Sequence, residues 1–419
     1  MHFTEYYVSN SYNIGKKMNK QIEEILAKAK NKFEEIEEVA LFNQKKVLTA
    51  FRNNKIALRH FNGTSGYGYD DSGRDALNNV VAEIFGTESA VVSPSIASGT
   101  HALTLALFGV LRPNDNVLSV CGEPYDTLHD TIYGKGNGSL ADFGVHFTCI
   151  DLVDNDFNYT AIKQALQNQY IKMVYVQRSR GYAWRLALSI AQIQRLCRFV
   201  KEISPNTLIF CDNCYGEFVG TQEPTQVGVD FCAGSFIKNI GGGLAPTGGY
   251  IAGKSSVVQL VGGRLTAPSI GTEIGSYACG YRLFYQGLFF APHVVCQALK
   301  TAVAFSQALT DKGYEVLPRP NQHFGDIVCS VKLQDKWKML GFCQAIQSVS
   351  PVDGFVTPEP WKQPGYNDEI IMAAGCFVQG SSIELSCDGP VKPPYIAYLQ
   401  GGLTFEHGIY ALEKVLEIL

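Results

Sequence analysis

The segment IFCDNCYGE (residues 209–217) runs an apolar strand into Asp212, and SFIKNIGGG (235–243) then sets Lys238 against three glycines. A buried carboxylate is costly unless a cation meets it, so the aspartate indicates a charged partner. In an open α/β sheet, ligands bind beyond the carboxyl ends of the strands. We therefore expect Asp212 to face such a crevice, although a helix cap or a loop position would also explain it when taken alone.

Short apolar strands alternate with helical segments up to this stretch. The predicted strands are SAVVSP, NVLSV, VHFTCIDL, KMVYVQ and TLIFCD. SGTHALTLALFGVL opens a helix, and another helix is predicted over 189–203. Such alternation is typical of βαβ units. It predicts an α/β fold with a mostly parallel sheet that helices cover on both faces.

The chain of 419 residues exceeds the length at which one hydrophobic core usually stops growing, so we expect more than one domain. Amphipathic spacing over 16–50 predicts an N-terminal helical arm, which we assign to 1–60. A large domain follows over 61–295. A helix predicted over about 291–312, followed by DIVCSVKL, a further helix and SIELSC, indicates a small C-terminal α+β domain over 296–419.

The composition limits the class of protein. A net charge of −4, without a long lysine or arginine block, argues against nucleic-acid binding. No apolar run reaches the roughly 18–20 residues of a membrane span, and the N-terminus lacks the pattern of a secretory signal. The twelve cysteines lie scattered in apolar surroundings, which indicates reduced core residues. We expect a cytoplasmic protein that binds no metal, membrane or nucleic acid.

Three features gain meaning only in combination. SGTHA (98–102) opens a helix whose free amides favour an anion, Asp212 ends a strand, and Lys238 follows Ser235. Taken singly, an N-cap, a loop aspartate and a surface lysine explain them. Together they are the parts that hold pyridoxal phosphate: amides and a hydroxyl for the phosphate, a carboxylate for the ring nitrogen, and an amine for the aldehyde. We expect a partly dry crevice to lower the pKa of Lys238.

Two further segments follow predicted strands. Tyr125 in GEPYDTL comes after NVLSV, so it lies at the same crevice and could stack on a planar ring. A core position would explain this tyrosine equally well. QRSRGYAWR (177–185) places three arginines just after a buried strand, which fits binding of a carboxylate or phosphate better than a solvated face.

Two motifs point to other chemistry. GGYIAGKS (248–255) satisfies the phosphate-loop pattern, but GYIA itself has the pattern of a strand, so a phosphate loop is disfavoured. Cys211 and Cys214 have the spacing of a metal or redox pair. No second pair accompanies them in the sequence, and packing explains them better.

An ordered series of motifs resembles a known family. The motifs are SGTHALTLALFGVLRPNDNVLSV, PYDTL, QRSRGYAWR, DNCYGEF, AGSFIKN, GGYIAG, RLTAPSIG, SPVDGF, PGYNDEIIMAAG and QGSSIELSCDGP. From about residue 60 to its end, the chain resembles the aluminium-resistance family. This is a methionine gamma-lyase-like branch of the Cys/Met-metabolism enzymes, which use pyridoxal phosphate and have the aspartate-aminotransferase (type I) fold.

The resemblance implies both the fold and the site. The large domain would have a mostly parallel seven-stranded sheet beside a smaller C-terminal α+β domain. Lys238 would form the Schiff base and move the α-proton, Asp212 would pair with the ring nitrogen, and Tyr125 would stack on the ring. The phosphate ligands would be Ser98, Gly99, Thr100 and Ser235. The enzymes of the wider superfamily are dimers with interface sites, and Tyr67, Tyr69 or Arg74 in GYGYDDSGR would reach in from the other subunit.

The chain departs from the family pattern in two places. The C–S lyases usually place an asparagine after the strand that here ends in QRSRGY, so Arg178, Ser179 or Arg180 would contact the ring oxygen instead. An arginine for the substrate carboxylate is also expected near NQHFGDIV or DGPVKPPY. The chain offers Lys392 in the second of these segments and Arg319 just upstream of the first.

These observations predict a pyridoxal-phosphate-dependent enzyme for a small amino-acid substrate. The favoured reaction is carbon–sulfur cleavage of a sulfur-containing amino acid by β- or γ-elimination, in a homodimer or homotetramer. An aminotransferase is the first alternative, because the fold does not fix the outcome. A cofactor-binding protein without turnover is the second. A nucleotide-hydrolysing enzyme, which would depend on GGYIAGKS, is the third.

Overall fold

The computed structural model describes residues 19–363 and 365–419. Its helices are α1 (Lys20–Asn53), α2 (Ser72–Phe85), α3 (Gly99–Val110), α4 (His129–Tyr133), α5 (Tyr159–Asn168), α6 (Ile190–Ile203), α7 (Ser255–Leu265), α8 (Arg282–Asp311), α9 (Lys336–Ser348) and α10 (Phe405–Ile418). Its strands are β1 (Ser89–Ser93), β2 (Asn116–Ser119), β3 (His146–Cys149), β4 (Met173–Gln177), β5 (Leu208–Asp212), β6 (Phe231–Ser235), β7 (Gly249–Gly253), β8 (Glu315–Leu317), β9 (Val328–Lys332), β10 (Trp361–Lys362), β11 (Glu369–Ala373), β12 (Ser386–Pro390) and β13 (Ile396–Gln400). The helix predicted over 16–50 is present as α1, except that residues 1–18 lie outside the described part.

Seven strands form the first sheet, in the order β1–β7–β6–β5–β4–β2–β3. Strand β7 runs antiparallel to both of its neighbours, and the remaining pairs are parallel. The mostly parallel seven-stranded sheet is thus confirmed. Strand β6 has no counterpart among the strands predicted from the sequence, because FCAGS is short and ends in small residues.

Helices cover both faces of the first sheet. Residues of α3 and α7 pack on one face, and residues of α2 and α6 pack on the other. Because successive side chains of a strand point to opposite faces, Ile209 belongs to one core and its neighbour Phe210 to the other. This double burial fixes the register of the strand ends: Asp212 lies opposite Gln177 on β4 and Ala233 on β6.

Six strands form a second, wholly antiparallel sheet in the order β10–β11–β12–β13–β9–β8. Helix α9 packs against this sheet and against α10. This arrangement matches the smaller α+β part expected near the C-terminus. The strand expected within SIELSC (382–387) lies slightly later in the chain, at Ser386–Pro390.

Helix α8 connects the two sheets. It contains residues 295 and 296, where the sequence analysis places the boundary between the large and the small domain, and that boundary stays a prediction. It begins at Arg282, ahead of the predicted start near 291, and holds Pro292 in its interior. Proline favours the first turn of a helix, so the interior position of Pro292 runs against the usual sequence signal. A window of α8 is apolar enough to cross a membrane, but 72% of that window is buried inside the protein, as in a core helix.

The long helix α1 packs along α8 through its apolar face. The buried Asn43 also donates from Nδ2 to the carbonyl oxygens of Phe218 and Gly220, at 3.0 Å each. Since these carbonyls belong to the segment that follows β5, α1 supports the loop after Asp212 from behind.

Candidate active site

A cavity of about 400 Å³ lies between the carboxyl ends of β4, β5 and β6, the start of α3, and the second sheet. Seven residues that the sequence predicts for the site line it. They are Ser98, Gly99, Thr100, Tyr125, Asp212, Ser235 and Lys238. The crevice expected beyond Asp212 is therefore present, and it brings together residues separated by up to 140 positions in the chain.

The start of α3 forms an anion-binding corner of the cavity. Ser98 caps the helix, and its Oγ accepts a hydrogen bond from the amide of His101 at 3.1 Å. A Cβ added to Gly99 would lie 3.3 Å from Cys214 Sγ and 3.5 Å from the Cβ of Ser235, so this glycine keeps the backbone close to β6. The Ser235 Oγ is buried and has no hydrogen-bond partner among the described residues. The first amides of a helix have no partner within it, so amides and hydroxyl together offer unsatisfied donors.

Asp212 and Lys238 place opposite charges in the cavity. The amide of Cys214 donates to Asp212 Oδ1 at 3.0 Å. Burial raises the pKa of Asp212, while this hydrogen bond and the charge of Lys238 act in the opposite direction. The Lys238 Nζ lies 4.0 Å from the ring centroid of Tyr215.

The sequence-based expectation for the charge of Lys238 is wrong for this structure. Burial acts to lower the pKa of Lys238, as expected for a dry crevice. The neighbouring Cys214, Tyr215 and Asp212 outweigh this effect, so that the pKa of Lys238 lies above its ordinary value. The lysine therefore carries an ammonium group in the protein alone.

Tyr125 is held at the cavity by two hydrogen bonds. Its amide donates to Gln177 Oε1 at 2.7 Å, and its hydroxyl shares a hydrogen bond with that of Tyr366 at 2.6 Å. Burial, followed by the neighbouring Tyr366, raises the pKa of Tyr125 well above its ordinary value. The Tyr125 hydroxyl therefore stays protonated at neutral pH.

The second sheet supplies cavity residues that the sequence analysis missed. Asp388 of β12, Tyr398 and Gln400 of β13, and Tyr366 from the segment before β11 all line the cavity. Burial raises the pKa of Asp388 to about 7, against the opposing effects of Tyr182, Lys238 and Gln400. A usable signal was the aspartate between the buried Cys387 and Gly389, because a charged residue inside a core strand is rare without a function.

Arg178 lies beside the site but does not line the cavity. Its Nη1 donates to Asn213 Oδ1 and to the carbonyl of Gly216, both at 2.8 Å, and lies 3.8 Å from Glu223 Oε2. The guanidinium therefore supports the loop after β5, and this geometry does not support a contact with the cofactor ring.

Arg180 and Ser179, the other candidates for a contact with the ring oxygen, both bond to Asp326, which does not line the cavity. Arg180 pairs with the buried Asp326, at 3.2 Å between Nη2 and Oδ1. Ser179 lines the cavity, but its hydroxyl donates to Asp326 Oδ2 at 2.8 Å.

The cations expected for the substrate carboxylate lie elsewhere. Lys392 forms an exposed ion pair with Asp368, and Arg319 is exposed on the surface. Neither lines the cavity. Within the described residues, Lys238 is the one lysine or arginine that does.

The GYGYDDSGR segment also lies away from the cavity of this chain. Tyr67 and Tyr69 are 69% and 65% exposed, and their ring centroids lie 5.5 Å apart. Arg74 is buried and donates to the carbonyl of Gly68 at 3.0 Å. Their expected contribution to the site of a second subunit stays a prediction.

The two competing motifs have structural explanations. GYIAG is strand β7, buried along its whole length, so the middle of GGYIAGKS is not free to wrap a phosphate. Cys211 and Cys214 are both buried, and burial raises the pKa of each well above its ordinary value. Across residues 19–363 and 365–419, no group of three or more His, Cys, Asp or Glu side chains is placed to hold a metal.

Comparison with known proteins decides the family. The family model for methionine gamma-lyase matches residues 18–419. The chain belongs to the methionine gamma-lyase family. This confirms the resemblance inferred from the ordered motifs, and it places Lys238, Asp212 and the start of α3 within the matched region.

Individual relatives span nearly the whole chain. The YnbB protein of Bacillus subtilis (strain 168) is 47% identical over 397 residues, which cover 94% of each chain. A solved carbon–sulfur lyase involved in aluminum resistance from Clostridium novyi NT is 48% identical, covers 96% of this chain and 95% of its own, and has a TM-score of 0.92. The pyridoxal-5'-phosphate-dependent protein YhfS from Escherichia coli is 15% identical, covers 92% of this chain and 97% of its own, and shares the fold with a TM-score of 0.61. These likenesses confirm the type I fold.

Proposed function

We propose that this chain is a pyridoxal-phosphate-dependent carbon–sulfur lyase that releases a thiol from a sulfur-containing amino acid. The observation that carries the proposal is the meeting of Lys238, Asp212 and the unpartnered Ser235 hydroxyl in one cavity at the start of α3. Family membership favours this reaction over the aminotransferase and the non-catalytic carrier.

The residues present fit the proposed cofactor. A buried hydroxyl without a partner, beside the free amides of a helix start, matches a phosphate group. The residues that would hold this phosphate are Ser98, Gly99, Thr100 and Ser235. Asp212 would pair with the ring nitrogen, and Lys238 would bind the aldehyde carbon. When bound, pyridoxal phosphate supplies an electron sink for the charge that develops at the substrate Cα.

The side chains of this chain supply the proton transfers. In the proposed reaction the Lys238 amine takes the Cα proton, because it is the one lysine that lines the cavity within the described part of the chain. Asp212 is held by the Cys214 amide and stays in place. The Tyr125 hydroxyl is kept protonated by burial and can donate to the departing sulfur, with Tyr366 holding its orientation.

We further propose that the enzyme works as a cytoplasmic homo-oligomer in which a second copy completes the site. Tyr67 and Tyr69 are exposed, contact each other and do not line the cavity of this chain, which supports an interface position. All twelve cysteines are free, which fits a reducing compartment. Light scattering of the protein with and without Tyr67→Ala and Tyr69→Ala would test the interface.

Substitution of Lys238 tests the function directly. We expect Lys238→Ala to lower the rate of thiol release roughly 10³-fold or more, since it removes the amine that binds the aldehyde and moves the proton. The measurement is thiol release from a panel of sulfur amino acids after incubation with pyridoxal phosphate. Visible absorbance of the retained cofactor is recorded in parallel.

The exposed Lys163 of α5 provides the matched control, because Lys163→Ala removes the same charge far from the cavity. Wild type and this control should keep both the visible band and the activity. A wild-type protein that takes up no cofactor, or a Lys238→Ala variant that keeps full activity, would contradict the proposal.

A further inference from the structure

We infer that Asp388, with Tyr182 and Gln400, forms a subsite for an ammonium group on the sulfur substituent of the substrate. The inference rests on the proposed lyase function and narrows its substrate class. It assigns a role to a carboxylate that the proposed proton transfers do not use.

The carboxylate of Asp388 is poorly satisfied by the protein. It lies on β12, lines the cavity, and its Oδ2 accepts a hydrogen bond from Gln400 Nε2 at the long distance of 3.4 Å. The Tyr182 hydroxyl lines the same part of the cavity and acts on Asp388 as a donor that opposes the rise of its pKa, but it makes no hydrogen bond of ordinary geometry within the described part of the chain. The half-buried carboxylate and the buried hydroxyl thus face the cavity with bonding capacity left over.

Aromatic rings cluster around Tyr182, whose hydroxyl acts on this carboxylate. The ring of Tyr182 lies 5.1 Å from that of Tyr398, 5.9 Å from that of Tyr366 and 5.8 Å from that of Tyr125, measured between centroids. The faces of such rings attract cations, and the attraction grows when water is excluded. A carboxylate among tyrosine rings is therefore suited to an ammonium group and unsuited to a second carboxylate.

The charged residues that line the cavity also favour an ammonium group beside Asp388. Asp212 and Asp388 both line the cavity, against Lys238 as the one lysine or arginine that does so among the described residues. In the proposed function, the cofactor engages both Asp212 and Lys238. Asp388 then needs another cation, because an ionised carboxylate without a partner is costly in a closed site. A substrate whose sulfur substituent ends in an ammonium group supplies it.

The reaction itself is the proposed elimination and needs no further reagent. The Cα–H and Cβ–S bonds break, the sulfur leaves with a proton as a thiol, and water converts the remaining fragment to an oxo acid and ammonia. In this scheme the ammonium group stays on the thiol product, so Asp388 acts on selection and takes no part in bond cleavage.

Two substrates of equal size test the subsite. S-(2-aminoethyl)-L-cysteine and S-propyl-L-cysteine differ by an ammonium in place of a methyl group. With the holoenzyme near pH 8, where Asp388 with a pKa of about 7 is mostly ionised, we expect kcat/KM to favour the aminoethyl substrate by about tenfold or more. Asp388→Asn should bring the ratio close to one, because it slows the aminoethyl substrate much more than the propyl substrate.

Asp368→Asn is the matched control, because Asp368 is paired with Lys392 outside the cavity and its removal tests for a general charge effect. A ratio near one in the wild type, or the same loss of preference in both variants, would overturn the inference.

A binding measurement separates this inference from the proposed function. Calorimetry of the wild-type holoenzyme with L-lysine and with L-2-aminoheptanoic acid, which has a methyl in place of the ammonium group at the same chain length, compares the same pair of end groups without requiring turnover or a variant. Tighter binding of lysine, by about tenfold, would support the subsite even if no thiol were released from either cysteine derivative. Equal binding, together with normal thiol release, would leave the lyase standing and overturn the subsite.

Discussion

The cavity has two walls that the chain builds in different ways. The sheet wall consists of Ser98, Gly99, Asp212, Ser235 and Lys238, from strand ends and a helix start around the first sheet. The C-terminal wall consists of Tyr366, Asp388, Tyr398 and Gln400, from the second sheet and the segment before β11. The first offers amides, an unpaired hydroxyl and opposite charges. The second offers rings and one weakly bonded carboxylate. In the proposed function, the first wall binds the cofactor and the second selects the substrate.

After the loss of the Lys238 amine, the largest effect should come from the negative charge on the sheet wall. Asp212→Asn keeps the size of the side chain but removes the negative charge that would keep a pyridine nitrogen protonated. We expect kcat for thiol release to fall by roughly 10²-fold or more, as is usual when a preorganised electrostatic contact is lost. Steady-state kinetics with S-propyl-L-cysteine measures it.

The matched substitution on the C-terminal wall is Asp388→Asn. With the uncharged propyl substrate it should leave kcat within about twofold, because this carboxylate then has no cation to bind. Equal losses in the two variants would remove the proposed division between the walls.

A second prediction concerns the pH dependence of stability that Glu217 causes. This residue lies in the segment after β5, the strand that carries Asp212. Glu217 is fully buried, its Oε1 accepts a hydrogen bond from the Tyr250 hydroxyl at 2.8 Å, and burial raises the pKa of Glu217 from 4.5 to about 8. The folded state thus holds a proton that the unfolded chain loses above its lower pKa. The stabilising contribution is complete below pH 4.5 and is lost as the pH rises towards 8.

Glu217→Gln should remove this pH dependence. Between pH 5.5 and 7.5 we expect the free energy of unfolding of the wild type to fall relative to the variant by roughly 2–3 kcal/mol, from about 1.4 kcal/mol per pH unit. Denaturant unfolding at several pH values measures the difference. The exposed Glu202 of α6 supplies the control, Glu202→Gln. Curves of wild type and Glu217→Gln that run parallel over this range would contradict the assignment.

The two walls also differ in how far the sequence predicts them. Asp212 ends an apolar strand, Ser98 opens a helix, and Lys238 stands beside glycines, so each signal is local to a few residues. Parallel strands bring their carboxyl ends to one edge of a sheet. Residues that follow different strands can therefore be expected to meet in one site. The fold class and the sheet wall could therefore be predicted from the sequence.

The C-terminal wall could not be predicted in this way. Asp388 faces the cavity because β12 pairs with β11 and β13 in a particular register, and an antiparallel register is fixed by contacts far apart in the chain. The sequence analysis expected Arg178 at the cofactor ring, and its position outside the cavity has a related cause. Its position after a buried strand is visible in the sequence, but the direction of its side chain depends on Asn213 and Gly216.

The smallest effect should come from a contact between Tyr125 and the C-terminal wall, the hydrogen bond of 2.6 Å between the hydroxyls of Tyr125 and Tyr366. Tyr366→Phe leaves the ring in place and removes one partner of a bond that contributes about 0.5–1.5 kcal/mol, so we expect a two- to tenfold loss of kcat with little change in KM. Tyr398→Phe is the control, since its hydroxyl donates to the carbonyl of Tyr182 and does not reach Tyr125. A loss confined to KM would place Tyr366 with substrate selection alone. A loss as large as that of Asp212→Asn would mean that the C-terminal wall takes part in bond cleavage, because orientation of a neighbour through one neutral hydrogen bond is too weak to account for it.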